Sequence, residues 1–271
     1  MKYSTIDTVI VSGGMIQKDF ALDFIRSLKE KRKEKPLILV AVDRGMDFFR
    51  ETGLVPDLVD GDFDSISHDG REYLNSLTDT EVVQLVPEKD DTDTQSAMNL
   101  AIKKGAKNIL ILGATGGRLD HFMGNLGLLT LGKESGVNVA LADAQNYISL
   151  VESGTVLEKA EQFGKYVSFF PVAGGVDGLT LKGFKYPLNG FSLKATDSGL
   201  TVSNEIQEDQ AEVIYEKGIL MMIMSRDLNA DKHTHASSVR STKRRVRGDA
   251  SVSGSLQLPL TDREATAFMS K

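Results

Sequence analysis

Through the first half of the chain, short and almost wholly apolar runs alternate with longer amphipathic stretches, and few architectures accommodate that alternation. TVIVSGG (8–14), PLILVAVD (36–43), NILILGA (108–114) and VNVALAD (137–143) have strand length and composition. DFALDFIRSLKEKRK (19–33), TDTQSAMNLAIKKGA (92–106) and HFMGNLGLLTLGKES (121–135) carry apolar residues at helical spacing. Shorter pieces fill the pattern: a helix in RGMDFFRETG after Asp43, a strand near 57–60, a helix near 67–77 and a strand in EVVQLVP (81–87). Thr92 is placed to cap the helix that follows it, with Gln95 three residues on as in a capping box, and Gly105 is placed to stop it. Runs such as LILVAV lack polar alternation, which implies strands covered on both faces: a mostly parallel sheet with helices on either side.

The aspartates fall where such a sheet binds ligands, beyond the carboxyl ends of its strands. Asp43 follows the second strand, Asp60, Asp62 and Asp64 the third, Asp90, Asp91 and Asp93 the fourth, and Asp120 the fifth. Carboxylates crowded into one crevice repel each other, so they require a cation, and an all-oxygen site favours magnesium. That chemistry points to a phosphorylated substrate. In GDFDS, an extended loop would turn Asp62 and Asp64 the same way, onto one ion. In PEKDDTD, helix capping accounts for one or two of the three aspartates. In TGGRLDH, Gly116 and Gly117 free backbone N–H groups for phosphate oxygens, Arg118 is placed to pair with phosphate, and Asp120 to orient a substrate group or a metal-bound water. His121 is given no role. No GxxxxGK[ST] pattern is present, which excludes a P-loop enzyme, and Gly13-Gly14 lacks the context of a dinucleotide fingerprint.

From about Gly154 the chain changes to short β runs separated by turn residues: TVLEKA, YVSFFPV, LTLKGF, FSLKAT, LTVSNEI and AEVIYEKGILMMIMS. This predicts an all-β sandwich or barrel, with the methionines 221, 222 and 224 in its core. SGLTVSNE (198–205) is unusually polar for such a region, and Ser203 and Asn204 offer hydrogen bonds suited to a heterocycle, or simply form a hairpin turn. The expected division is 1–148 for the α/β part, 149–227 for the β part and 228–271 for a polar, Ser/Thr-rich extension without periodicity, read as disordered. The chain has no cysteine, which excludes disulfides, thiolate metal sites and cysteine nucleophiles. A net charge of −6 gives no general attraction to nucleic acid or anionic membrane, although KRRVR (243–247) is a basic cluster. No apolar run is long enough for a signal peptide or a bilayer span, so a cytoplasmic protein is expected, with neither membrane nor nucleic acid as partner.

VDRGMDF, GDFDSI, DDTD, GATGGRLDH with Asn125 beyond it, and the late SGLTVSNE together resemble the thiamine pyrophosphokinase (thiamine diphosphokinase) family in order and spacing, over about residues 8–226. The resemblance implies a transferase that joins an α/β nucleotide-binding domain to a β-sandwich that binds thiamine. It implies a homodimer with its active site at the interface, and transfer of pyrophosphate from ATP to thiamine to give thiamine diphosphate and AMP. Asp43, Asp62, Asp64 and Asp93 resemble the acidic catalytic set, with Asp62, Asp64 and Asp93 as the magnesium side. Thr115, Gly116, Gly117, Arg118 and Asp120 fall in the nucleotide loop, and Ser203 and Asn204 match the thiamine side. A carboxylate, Asp43 or Asp93, would assist deprotonation of the alcohol. The chain departs from the family pattern at Arg44, where a small residue or glycine is usual, and 228–271 lies outside the match. Other readings are a magnesium-dependent pyrophosphokinase or nucleotidyltransferase acting on a different alcohol, a nucleotide-binding regulator without chemistry, and an RNA-binding protein acting through the basic extension.

Overall fold

The computed structural model describes residues 3–32, 35–84, 91–197 and 199–228. Asp90, Ser198 and the extension from 229 onward lie outside them, so the expectation of disorder for the extension does too. The described chain opens with β1 (Thr8–Val11), α1 (Lys18–Arg32), β2 (Ile38–Val42), α2 (Gly45–Thr52), β3 (Leu58–Gly61) and α3 (His68–Ser76). It continues through β4 (Glu81–Gln84), α4 (Asp93–Lys103), β5 (Asn108–Leu112), α5 (Leu119–Glu134), β6 (Asn138–Ala142) and β7 (Asn146–Val151). Then come β8 (Thr155–Glu158), β9 (Tyr166–Pro171), β10 (Gly175–Lys182), β11 (Leu188–Lys194), β12 (Gln210–Ile214) and β13 (Leu220–Ser225).

One sheet has the order β4-β3-β2-β1-β5-β6-β7-β13-β9. β1 to β6 pair in parallel, and β7, β13 and β9 join antiparallel. Successive strand residues face opposite sides, and the core divides accordingly. Val9, Val11, Leu39, Ala41, Leu110 and Leu112 pack with Ile25 and Leu28 of α1 and with Met46, Phe48 and Phe49 of α2. Ile10, Val40, Val42, Ile109 and Ile111 pack on the other face with Ala97, Met98 and Ala101 of α4 and with Leu128 and Leu129 of α5. This is the parallel, doubly covered sheet that the apolar runs predict.

The second sheet, β11-β10-β12-β8, is antiparallel. Val176, Leu179, Leu181, Ala211 and Val213 from it share a core with Val167 and Phe169 of β9 and Leu220, Met222 and Met224 of β13, so the second half is a sandwich. One of its layers is the far end of the large sheet, and the boundary expected at 148/149 falls within β7. LTVSNEI differs from its predicted strand. Residues 199–203 form turns, and pairing there reduces to isolated bridges of Asn204 with Val167 and of Ile206 with Phe184. The cause is local: Ser203 has φ 57°, a left-handed conformation that ends a strand.

Helix ends follow the sequence with one difference. The Thr92 hydroxyl accepts the Gln95 N–H at 3.2 Å, capping α4. The Gln95 amide does not close a capping box. It donates to Asp91 Oδ1 at 2.5 Å, and Asn99 reaches Asp91 Oδ2 at 3.3 Å, so Asp91 anchors the helix from outside it.

Candidate active site

From β1 the chain steps outward through β2, β3 and β4, then returns to place β5 on the other side of β1. The loops after β1 and β5 therefore part in opposite directions, and the crevice between them is the position where α/β sheets bind ligands. An open cavity of about 600 Å³ lies there, lined by residues that include Gly13, Gly14, Asp43, Asp93, Gly117 and Arg118. Its floor depends on glycine. A Cβ on Gly14 would sit 2.3 Å from the Gly113 carbonyl oxygen, and one on Gly113 would sit 2.5 Å from that of Ser12. The Gly14 N–H instead donates to the Gly113 oxygen at 3.0 Å, locking the two loops together. Asn125 holds the next stretch in place by donating from Nδ2 to the Ala114 oxygen at 2.9 Å.

Among the described residues, three non-glycine residues have positive φ: Asp43 (44°), Phe63 (63°) and Ser203 (57°). Each sits in a segment singled out from the sequence as a site. Such conformations cost on the order of 1–3 kcal/mol and persist where the surroundings enforce them, often at functional sites. Asp43 is 7% exposed, and its Oδ1 accepts the Phe63 N–H at 3.3 Å. A Cβ on Gly61 would lie 2.0 Å from that same oxygen, so the β3 loop can close over Asp43 only with glycine there.

Asp43 also shares a hydrogen bond with Asp93. Burial above all, then the bond to Asp93 and its charge, push the Asp43 carboxyl up to about 7; the Phe63 N–H works against this, and Asp62 adds to it. Asp43 therefore keeps its proton more readily than an ordinary aspartate. Asp64 is exposed, and its carboxyl is raised chiefly by the charge of Asp62, with Asp93 contributing. GDFDS is not the extended loop expected. Phe63 is buried and left-handed, and Asp62 Oδ1 accepts the Asp64 N–H at 3.1 Å, so a tight turn rather than strand alternation puts the two carboxylates side by side.

Arg118 and Asp120 flank the start of α5 and form a two-pronged ion pair, with Nε to Oδ1 at 3.1 Å and a shorter contact from the second guanidinium nitrogen to Oδ2. Arg118 holds the Asp120 carboxyl below the usual range, and the guanidinium is correspondingly raised. Gly116 and Gly117 line the cavity, while Thr115 is not among its lining residues, and neither are Asp62 and Asp64. Sequence reasoning missed Ser12 and Thr94, whose buried hydroxyls are 2.7 Å apart at the back of the cavity and join β1 to α4. The signal was only their position: a hydroxyl directly before the glycine pair and another in the first turn after Thr92.

Ser203 and Asn204 do not line this cavity, and the structure gives them different occupations. Asn204 is 1% exposed; its Oδ1 accepts from Tyr186 N and Glu205 N, both at 2.9 Å, and its Nδ2 donates to Tyr186 O at 2.8 Å. The side chain expected to meet a heterocycle is committed to the backbone. Ser203 is exposed, on a turn strapped to β9 by its own N–H to Ser168 Oγ (3.0 Å) and by Val167 N–H to Asn204 O (2.7 Å).

Comparison with known proteins identifies the family. The family description "Thiamin pyrophosphokinase, catalytic domain" matches residues 29–141, and "Thiamin pyrophosphokinase, vitamin B1 binding domain" matches 154–220. The chain is 37% identical to the thiamine pyrophosphokinase of Bacillus subtilis over 188 residues, covering 69% of this chain and 87% of that protein. The crystal structure of the Bacillus subtilis enzyme superposes with a TM-score of 0.70 at 35% identity, over 82% of this chain and 99% of that one. The thiamin pyrophosphokinase structure from Geobacillus thermodenitrificans gives 0.68 at 34%, over 82% and 98%. The yeast enzyme, at 13% identity, shares the fold with a TM-score of 0.66. With both family regions present in order, and a relative of this identity covered over most of its length, the chain belongs to the thiamine pyrophosphokinase family.

Proposed function

We propose that this chain transfers the pyrophosphoryl group of ATP to the hydroxyethyl oxygen of thiamine, giving thiamine diphosphate and AMP. The observation that carries the reading is the buried, left-handed Asp43 sharing one cavity with Asp93 at the switch point of the sheet, beside loops that only glycine can form. A pyrophosphoryl transfer needs positioning and charge stabilisation more than a covalent protein nucleophile. Residues 1–148 are assigned to the nucleotide and 149–227 to thiamine.

The donor set suits magnesium. Every candidate ligand is an oxygen; Asp43 takes up a proton more readily because of its burial first and its acidic neighbours second, and Asp64 chiefly because of the charge of Asp62. Among the described residues no three carboxylate or imidazole side chains converge tightly enough to cage an ion. Magnesium commonly takes only one or two carboxylates and fills its remaining positions with phosphate oxygens and water. Asp62, Asp64 and Asp93 would hold it, and when bound it would offset negative charge on the phosphates. The chain's own groups do the rest. N–H groups of Gly116 and Gly117, which line the cavity, would meet the phosphates, and Arg118, oriented by Asp120, adds positive charge. Asp43 or Asp93 would accept the proton of the thiamine hydroxyl.

Neither Ser203 nor its turn lines the cavity, so one chain alone leaves the thiamine side open. Met15, Leu119 and Met123 are 74%, 76% and 64% exposed beside the cavity, and Tyr186, Leu200 and Val202 are exposed around the turn. A second copy bringing its turn to the first copy's crevice would cover both patches, which supports a homodimer with shared sites. Among the described residues no helix is long and apolar enough to cross a membrane.

The reading is tested by incubating the chain with ATP, magnesium and a panel of alcohols that includes thiamine. Thiamine diphosphate is the expected product; turnover of a different alcohol alone would move the assignment to another pyrophosphokinase. A pH prediction follows from Asp43. Its folded carboxyl titrates at about 7, against 3.8 for an ordinary aspartate, so the folded state binds the extra proton between those values. Stability of the metal-free chain is therefore expected to fall as pH rises from about 4 to about 7 and to level off above. Urea unfolding in EDTA across this range should show the slope in the wild type and a flattened one in Asp43→Asn. Equal slopes in the two would remove Asp43 as the titrating group.

A further inference from the structure

Two arginines line the cavity, and they are in different states. Arg118 has its guanidinium fork taken up by Asp120. Arg44 begins α2, is exposed, and among the described residues forms no side-chain hydrogen bond or ion pair, although Asp43, Asp93 and Asp120 line the same cavity. Its backbone is fixed on both sides. Its Cβ lies 3.2 Å from where a Cβ on Gly13 would stand, and Gly45, next in sequence, packs so closely that a Cβ there would sit 2.0 Å from the Val11 carbonyl oxygen. A long cationic side chain is thus rooted on a rigid corner at the β1/β2 rim, beside the Gly13-Gly14 loop.

An arginine held among carboxylates would ordinarily pair with one of them, and here each is otherwise engaged. Asp43 is bonded to Asp93 and to the Phe63 N–H, and Asp120 is bonded to Arg118. Among the described residues the fork of Arg44 is unengaged, and it suits an anion that presents two oxygens side by side, as a phosphate does. From this we infer that Arg44 is a binding and positioning residue for the polyphosphate of the nucleotide, the cation with a fork free to grip it, whereas Arg118 adds its charge with its fork taken up by Asp120. The inference rests on the reading of the cavity as an ATP site, and it assigns a role to Arg44, which the sequence resemblance left without one.

The test is direct binding of a non-hydrolysable ATP analogue and of adenosine, both with magnesium present, to the full chain, to Arg44→Gln, Arg44→Lys and Arg118→Gln. A charge-assisted pair to phosphate corresponds to about ten- to hundredfold in affinity. Arg44→Gln is expected to lose that much for the analogue and almost nothing for adenosine. Arg44→Lys should recover part of the loss, because it restores the charge without the fork. Arg118→Gln should lose less than Arg44→Gln. The unfolding midpoint of Arg44→Gln should match the wild type, since the side chain makes no hydrogen bond or ion pair among the described residues. In turnover, the KM for ATP should rise more than kcat falls. Unchanged analogue affinity in Arg44→Gln, an equal loss for adenosine, or a larger loss in Arg118→Gln would overturn the assignment. A wild type that does not bind the analogue would instead remove the ATP site itself.

Discussion

Asp62→Asn and Asp64→Asn should each lower turnover on the order of a hundredfold or more at fixed magnesium, the scale seen when one preorganised charge-stabilising group is lost from a reacting centre. The substitution keeps size and removes one negative charge. Neither should harm the fold. Asp64 is exposed, Asp62 is half-buried, and the bond from Asp64 N–H to Asp62 Oδ1 survives in an asparagine, which keeps that oxygen. The left-handed Phe63 between them, with its ring buried, fixes the turn independently of either charge. Steady-state rates beside urea unfolding midpoints check this. Near-wild-type rates in both variants would place the magnesium elsewhere, and a collapsed midpoint would make the loss one of folding.

Asn204→Ala is expected to destabilise the chain by about 2–4 kcal/mol, because it strands several polar backbone groups at once. The Asn204 amide serves Tyr186 N, Tyr186 O and Glu205 N, and almost none of it reaches solvent. Losing it releases the turn that carries Ser203, so binding of thiamine should weaken as a consequence of the fold. Ser203→Ala has no such bonds to lose from its hydroxyl, and it should leave the unfolding midpoint near that of the wild type. Chemical denaturation of the two variants separates the roles. An unchanged midpoint in Asn204→Ala would mean that the clamp contributes nothing and would return Asn204 to direct contact with substrate.

The parallel sheet was legible because its strands are buried on both faces. LILVAV and NILIL cannot be half-exposed strands, and the helices announce themselves by spacing and by Thr92 and Gly105. The acidic loops were legible because a doubly wound sheet dictates which strand ends share an edge. Less could be read where geometry depends on a few torsions. GDFDS looks extended in sequence, but Phe63 turns it, and no residue-level pattern signals a phenylalanine at φ 63°. LTVSNEI has strand composition, yet Ser203 bends it and Asn204 pins it. The large sheet continues through β7, β13 and β9, joining residues from both halves, because β-strand pairing over such distances leaves no local mark. The proximity of Asp43 to Asp93 and the pairing of Arg118 with Asp120 were also hidden: a sequence shows which charges converge, and only the fold shows which of them engage each other.

The nucleotide released during turnover tests the central claim most directly. In transfer of an intact pyrophosphoryl group the alcohol oxygen bonds to the β-phosphorus and the bond from that phosphorus to the oxygen bridging it to the α-phosphate breaks; the bridging oxygen leaves with AMP, so the adenosine keeps one phosphate and the acceptor gains two. Separation of the products of a reaction with ATP, magnesium and thiamine should yield AMP and thiamine diphosphate in equal amounts, with both falling together in Asp62→Asn. ADP accompanied by thiamine monophosphate would contradict the account, since it would show a single phosphoryl group leaving the same crevice.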